Sequence, residues 1–310
     1  MQQNERLIQQ LGRVGVLFGG RSAEREISLQ SGAAVVAALA QLGVDHVAID
    51  IGDNSIDHLQ KARIDRAFIA LHGPGGEDGR IQAVLEYLNI PYTGSDVQAS
   101  AIGMDKLRTK QLWRGIGVNT PDFLLLNEHS DWAQVLATLG GELMVKPAHE
   151  GSSIGMARVS SAAELKAAYA VAAKFDAVVI AERLVRGPEY TIAVLGDRAL
   201  PVIRLETDHS FYDYDAKYLA DDTRYLCPCG LDEATERELQ AQALHAFLGI
   251  GCRGWGRVDV MLDSAGVFQM LEVNTVPGMT DHSLVPMAAK AAGLEFSDLV
   301  LAILQQSLTE

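Results

Sequence analysis

Two apolar segments toward the C-terminal end, GRVDVMLD and MLEVNT, place four functional groups where strand geometry leaves little freedom. Successive side chains of a strand point to opposite faces, so Arg257 and Asp259 share one face of the first segment, and Glu272 and Asn274 share one face of the second. Asp263, Ser264, Ala265 and Gly266 have the composition of a hairpin loop. A loop of those residues pairs Leu262 with Val267, Asp259 with Met270 and Arg257 with Glu272. On that register one face reads Val258, Val260, Leu262, Val267, Gln269, Leu271 and Val273, which is expected to be core. The other collects Arg257, Asp259, Glu272 and Asn274, ahead of a rigid Pro277-Gly278 turn. That face is either a solvated one with a cross-strand ion pair or a site. Carboxylates and an amide oxygen suit a hard cation such as Mg²⁺ that shares its shell with substrate phosphates, and a forked guanidinium suits an anion beside it.

The rest of the chain is long enough to support such a site. With 310 residues and 48% hydrophobic content it can bury two or three cores. A formal net charge of −14 argues against nucleic acid or an anionic membrane surface as a partner, and a phosphate ligand would need local Lys and Arg to override that field. The start, MQQNERLIQQLGR, lacks the apolar centre of a signal peptide, and no later apolar run has the length of a membrane span, so a cytoplasmic location is expected. Cys227, Cys229 and Cys252 form neither a disulfide framework nor a zinc motif and are expected to be structural.

Residues 1–95 alternate strand and helix: RVGVLFGG, a helix ending at Gly43, HVAIDI, RAFIAL, the loop HGPGGEDG and the helix RIQAVLEYLN. That order predicts an open parallel α/β sheet. Residues 96–186 carry a helix around MDKLRTKQLWRGIG, the strand ELMVKPA, the loop HEGSSIG, the strand MARV, a helix and the strand AVVIAERL. Residues 187–310, after Gly187-Pro188, read as antiparallel sheet with flanking helices, giving α+β character to the second half.

Several segments could carry chemistry. The strand-turn-helix around FGGRSAERE, with Asp50 as a ribose acceptor, invites a nicotinamide-dependent oxidoreductase reading, yet it lacks G-x-G-x-x-G and puts Glu24 where a pyrophosphate would sit. Glu24 either complements the helix terminus or faces a substrate ammonium. In KPAHEGSSIGM, glycines, Ser152, Ser153 and Lys146 can cradle phosphate, or form a mobile hairpin tip. FYDYDAKYLADDT is either a phosphate- and substrate-ordering loop through Lys217 or a packed surface loop; Glu182 and Glu189 either meet a nucleoside or are solvated.

Taken together, GGRSAEREISLQSG, ALHGPGGEDG, YTGS, MDK, VKPAHEGSSIGM, GPEYT, FYDYDAKYL, GWGRVDVMLD and EVNTVPGMTDHSLVP resemble, in order and spacing, the D-alanine–D-alanine ligases of the ATP-grasp superfamily, from about Val14 to Leu304. The resemblance implies an ATP-grasp fold behind an N-terminal parallel α/β domain, an ATP-dependent ligation of two D-alanine molecules for peptidoglycan precursor synthesis, and a homodimer. It implies two Mg²⁺ or Mn²⁺ on Asp259, Glu272 and Asn274, with ATP phosphates on Lys106, Lys146 and Lys217. It further implies Ser152 and Ser153 in a closing loop, Glu182 and Val185 near adenine, and Glu189 on ribose. Glu24, with Ser152 and Tyr218, would anchor the first D-alanine. Arg257 and Gly278 would stabilise developing negative charge, Ser283 and Leu284 would receive the second D-alanine, and His72 would line the same pocket. A ligase using D-lactate as second substrate, differing mainly at Tyr218, is the near alternative. Val273, Val276 and His149 depart from the residues the resemblance leads one to expect.

Overall fold

The computed structural model describes residues 2–52, 55–206, 223–280 and 282–308. Near the N-terminus, strand β1 (Val14–Phe18) lies between β2 (His46–Asp50) and β3 (Arg66–Ile69), both parallel to it. The near-continuous apolar run of β1 fits a strand covered on both faces, and Val14, Val16 and Leu17 are fully buried. Helices Arg25–Leu42, Ser55–Ala62 and Arg80–Tyr87 wind around this sheet, so the expected parallel α/β unit forms. The first of them stops at Gly43, whose φ of 69° closes the last turn.

A second sheet, antiparallel, has the order β4-β7-β5-β6, from β4 (Phe123–Leu126), β5 (Leu143–Pro147), β6 (Ala157–Val159) and β7 (Val179–Arg183). The third comprises β8 (Glu189–Leu195), β9 (Arg198–Ala199), β10 (Ile203–Glu206), β11 (Arg224–Leu226), β12 (Trp255–Leu262) and β13 (Phe268–Asn274). Its order is β11-β10-β8-β12-β13, with β9 paired to β8.

The cores do not follow chain order. Helix Phe296–Gln306 packs against helix Arg25–Leu42, and its Leu299, Val300 and Ile303 join the core of the parallel sheet, more than two hundred positions earlier in the chain. Helix Lys106–Gly115 sends Trp113 into the core under the third sheet, beside Phe247, Val258 and Met270, where its Nε1 donates to Ala246 O at 2.9 Å. No helix among the described residues is long and apolar enough to cross a membrane.

The β12–β13 hairpin forms, in a register different from the expected one. Its loop is one residue shorter, because Asp263 N donates to Val267 O at 3.0 Å and Gly266 adopts φ 77°, the arrangement of a three-residue hairpin loop. Leu262 thus pairs with Phe268 rather than Val267. A bulge then shifts the register again, so that Asp259 faces Glu272 and Arg257 faces Asn274. Phe268 and Met270 join Val258 and Val260 in the core, whereas Val267 is exposed and Leu271 turns to the opposite face. A bulge leaves two successive residues on one side of the strand, and here it brings Leu271 and Glu272 to the site face together.

Candidate active site

Two cavities meet on that face. The first, a cleft of about 750 Å³, runs between the second and third sheets and is lined by Lys106, Met144, Lys146, Ser153, Glu182, Val185, Glu189, Asp259, Leu271 and Glu272. The second, larger at about 1730 Å³, is lined by Glu24, Glu77, Ser152, Arg257, Asn274, Gly278, Ser283 and Leu284, and again by Lys106 and Glu272. Lys106 and Glu272 are therefore the wall common to both. Lys106 Nζ lies 3.4 Å from Glu272 Oε2 and donates to Glu150 O at 2.7 Å, so one ammonium joins the shared wall to the glycine-rich loop.

At the end of the cleft Asp259 is 7% exposed and both its oxygens are engaged. Oδ1 accepts from Thr191 Oγ1 at 2.6 Å and from Arg257 Nε at 2.8 Å, and Oδ2 accepts from Arg257 Nη2 at 2.7 Å. The guanidinium thus sits where a cation would neutralise Asp259, two positions along the same strand. Asn274 Oδ1 accepts from Val276 N at 3.2 Å, which fixes the amide oxygen at the mouth of the turn. Two carboxylates and an amide oxygen are a hard donor set, incomplete alone and suited to a divalent ion that also binds phosphate. No cluster of three His, Cys, Asp or Glu that could hold a metal occurs among the described residues.

Deeper in the cleft, Glu182 is 2% exposed, with Oε2 2.8 Å from Lys146 Nζ and Oε1 3.1 Å from Lys110 Nζ. Burial pushes its carboxyl up, but the two ammonium groups outweigh burial and hold it below the ordinary range. A solvated Glu182 is thereby excluded.

The glycine-rich loop reaches across to the first sheet. Ser152 and Ser153 both take positive φ, 49° and 61°, a conformation that costs non-glycine residues energy and persists where surroundings enforce it. The enforcing contact is Ser152 Oγ donating to Glu24 Oε1 at 2.6 Å. Glu24 stands at the cap position of helix Arg25–Leu42 without capping it through its side chain. Gly73 and Gly151 flank it so tightly that a Cβ at either would fall within 3.1 Å of its Oε2. Its carboxylate accepts from the loop while standing at the helix N-terminus, where negative charge is favourable.

His72 stands behind the second cavity rather than on its surface. Its ring bonds to Ser31 Oγ at 3.0 Å through Nε2 and to Val276 O at 2.8 Å through Nδ1, and Ser31 Oγ accepts from Met279 N at 3.0 Å. That chain ties the Arg25–Leu42 helix to the turn after β13. The residue that does face the cavity is Glu77, 3.8 Å from His72 Nδ1. Burial pushes its carboxyl above the ordinary range, with Glu24 adding and His72 opposing. Glu77 was not singled out in the sequence, nor were Thr191 and Lys110. Glu77 lies in HGPGGEDG, a loop without periodicity, and only its acidity amid glycines could have marked it.

Across the same cavity, Ser283 Oγ accepts from Thr280 N at 3.0 Å, and Gly278 leaves room for it, since a Cβ there would approach Ser283 Oγ to 2.8 Å. Leu284 opens the following helix and is buried at 7% exposure. Lys217 and Tyr218 lie outside the described residues. Asp50, the residue that supported a nicotinamide reading, is held bidentately by Arg25 at 2.8 and 2.6 Å and lines neither cavity.

The chain matches the family models described as D-ala D-ala ligase N-terminus, over residues 13–61 and 51–95, and D-ala D-ala ligase C-terminus, over residues 112–305. It is 61% identical over 298 residues to a D-alanine–D-alanine ligase of Saccharophagus degradans, covering 96% of this chain and 95% of that protein. Among solved structures it resembles a D-alanine–D-alanine ligase from Bacillus anthracis with a TM-score of 0.85 and 36% identity, covering 96% and 98% of the two chains. A D-alanine–D-alanine ligase from Bacillus anthracis complexed with ATP gives 0.84 and 33% over the same shares. Matched across both halves at this identity, and carrying two cavities that share a lysine–glutamate wall, the chain belongs to the D-alanine–D-alanine ligase family, within the ATP-grasp superfamily.

Proposed function

We propose that the chain joins two D-alanine molecules into D-alanyl-D-alanine at the expense of ATP, supplying a peptidoglycan precursor in the cytoplasm. The observation that carries this reading is the common wall. Among the described residues, a nucleotide held in the cleft and an amino acid held in the larger cavity meet at Lys106 and Glu272, so phosphoryl transfer between them needs no migration of either.

In this reading the first D-alanine sits with its ammonium at Glu24, and its carboxylate oxygen attacks the γ-phosphorus of ATP. An acyl phosphate forms and ADP leaves. The neutral amine of the second D-alanine, received by Ser283 and Leu284, attacks the acyl carbon, loses a proton, and inorganic phosphate departs as the C–N bond closes. Arg257 and the backbone at Gly278 oppose the negative charge of the tetrahedral intermediate, the kind of preorganised stabilisation that dominates such barriers. Lys106, Lys146 and Lys217 serve the phosphates. Glu182 and Val185 serve adenine, and Glu189 the ribose. Ser152, Ser153 and Tyr218 belong to the closure that keeps water from the acyl phosphate. Asp259, Glu272 and Asn274 would hold two Mg²⁺ or Mn²⁺, which would neutralise phosphate charge when bound. Arg257 would then exchange Asp259 for the reacting carboxyl oxygens. The active form is read as a homodimer.

A D-lactate acceptor is not favoured, since the relative sharing 61% identity is named a D-alanine–D-alanine ligase. Phosphate release from ATP with D-alanine alone, with D-alanine plus D-lactate, and with no amino acid tests the reading. It requires release and dipeptide with D-alanine alone. Equal release in all three mixtures would sink it.

A further inference from the structure

One buried cation beneath the nucleotide cleft has no part in the reaction set out above. Lys110 has no exposed surface, and it is absent from the walls of both cavities. Its Nζ lies 3.1 Å from Glu182 Oε1 and donates to Thr120 Oγ1 at 2.7 Å, and Thr120 Oγ1 donates in turn to Met270 O at 2.8 Å. Lys146, on the cleft wall, holds the other oxygen of Glu182 at 2.8 Å. A lone Lys146–Glu182 pair would be neutral. With Lys110 the trio holds two ammonium groups against one carboxylate, and burying an extra charge is costly unless something draws on it. Positive charge in a poorly screened site acts on phosphate far more strongly than the same charge in water.

We infer that Lys110 is a positioning residue for nucleotide binding. It fixes Glu182 from behind, so that Glu182 aims Lys146 into the cleft and the trio presents one net positive charge to the phosphates. The inference rests on the nucleotide reading of the cleft. Lys110 is faced by Glu182 from β7, Lys146 from β5 and the neutral Thr120 hydroxyl, with Glu272 of β13 acting from farther away. Burial pushes its ammonium down to about 8, with Glu182 opposing the fall and Lys146 adding to it. Nucleotide affinity therefore weakens as the pH rises past that value, when the trio becomes neutral.

Calorimetric titration of the full chain with ADP and Mg²⁺ at pH 7 and pH 9, on the parent protein and on Lys110→Met, Lys110→Arg and Lys146→Met, tests this, with thermal melting of each variant as the folding control. Lys110→Met is expected to bind about tenfold more weakly at pH 7, the scale of one nearby charge in a partly screened interior, and to lose the further weakening at pH 9. In steady-state assays that loss falls on KM for ATP more than on kcat. Lys110→Arg, which stays charged at both pH values, is expected to bind at pH 9 as tightly as at pH 7. A folded Lys110→Met that binds like the parent and keeps the parent's pH dependence overturns the inference. If Lys110→Met does not fold, an Arg variant that weakens between pH 7 and 9 as much as the parent overturns it equally. A parent that binds no nucleotide, or a Lys146→Met that binds normally, refutes instead the nucleotide reading of the cleft, and the role of Lys110 falls with it.

Discussion

Glu182 and Glu77 are glutamates set into the walls of the two cavities, and their carboxyls are shifted in opposite directions. Glu182 is clamped between Lys110 and Lys146, whose charges outweigh its burial. Glu77, 13% exposed, has His72 at 3.8 Å and the backbone of Gly73 to oppose its burial, Glu24 works against them, and burial wins. The difference separates the surroundings of the two glutamates. Around Glu182 two ammonium groups meet one carboxylate, and the carboxylates elsewhere on the cleft wall, Asp259 and Glu272 among them, suit a polyphosphate that arrives with a divalent cation. The larger cavity gathers Glu24 and Glu77 on loops around the first sheet, a setting in which a bound ammonium would relieve the repulsion between them. An amino acid is such a ligand, and it arrives already charged.

The harshest way to break this division is to attack the wall that both cavities share. Glu272→Gln is expected to lower kcat by about a thousandfold or more, several kcal/mol of transition-state stabilisation, while the fold survives, because Glu272 is outside the buried cores. Asp259→Asn is expected to match it in kcat, and in addition to release Arg257, whose Nε and Nη2 both bond to that carboxylate. Mn²⁺ titration followed by electron paramagnetic resonance should detect weakened ion binding in both variants. Normal turnover by Glu272→Gln at low millimolar Mg²⁺ would dissolve the junction as a functional unit.

A gentler perturbation acts on one cavity only. Ser152→Ala removes the 2.6 Å hydrogen bond to Glu24 and leaves a part-buried carboxylate short of a donor, a loss of about 1–3 kcal/mol. The cost should fall on kcat/KM for D-alanine, with ADP affinity changed far less, since Lys146, Glu182 and Glu189 line the cleft and not the larger cavity. Equal losses toward both ligands would mean that the loop closes over the two cavities as one.

The unequal construction of the cavities also explains what could be read from the chain alone. Asp259, Glu272 and Asn274 were legible because strand alternation sorts side chains by parity, and the sorting survives even though the register does not. The pairing itself was illegible. A three-residue loop at Gly266, one residue shorter than the expected one, and a bulge beside Leu271, which inserts a position, carry no compositional mark, and each inverts the faces downstream. The parallel sheet was legible from its apolar runs, whereas the packing of Leu299 and Ile303 against it depends on contacts far apart in sequence. Lys110 looks like a surface lysine on a polar helix until Glu182, 72 positions later, is folded against it. Glu77, and not the expected His72, lines the larger cavity, because the loop between them is glycine-rich and only its folded path decides which side chain reaches it.

The smallest expected effect is on stability, and it sharpens the contrast between the two glutamates most directly. The Glu77 carboxyl is raised in the folded chain by burial, so the folded state holds a proton there that the unfolded chain gives up at ordinary carboxylate pH. Its contribution to stability is complete below the ordinary carboxylate pKa and is lost as pH rises through the raised value. Glu182 has the opposite sign: its carboxyl is lowered, so its contribution is present above the ordinary carboxylate pKa and is lost as pH falls toward the lowered value. Glu77→Gln supplies a neutral side chain of similar shape and should remove the first dependence while leaving the second. Urea unfolding of parent and variant between pH 4 and pH 8 is the measurement. The variant should gain stability relative to the parent toward the upper end of that range, and the two curves should converge toward the lower end, where Glu77 is protonated in both states of the parent. Added D-alanine should narrow the gap at pH 8, because an ammonium in the larger cavity stabilises the ionised parent and gains less from a glutamine. A stability difference that does not change across the range would mean that folding does not shift the Glu77 carboxyl, and that the surroundings of the two glutamates do not differ in this way.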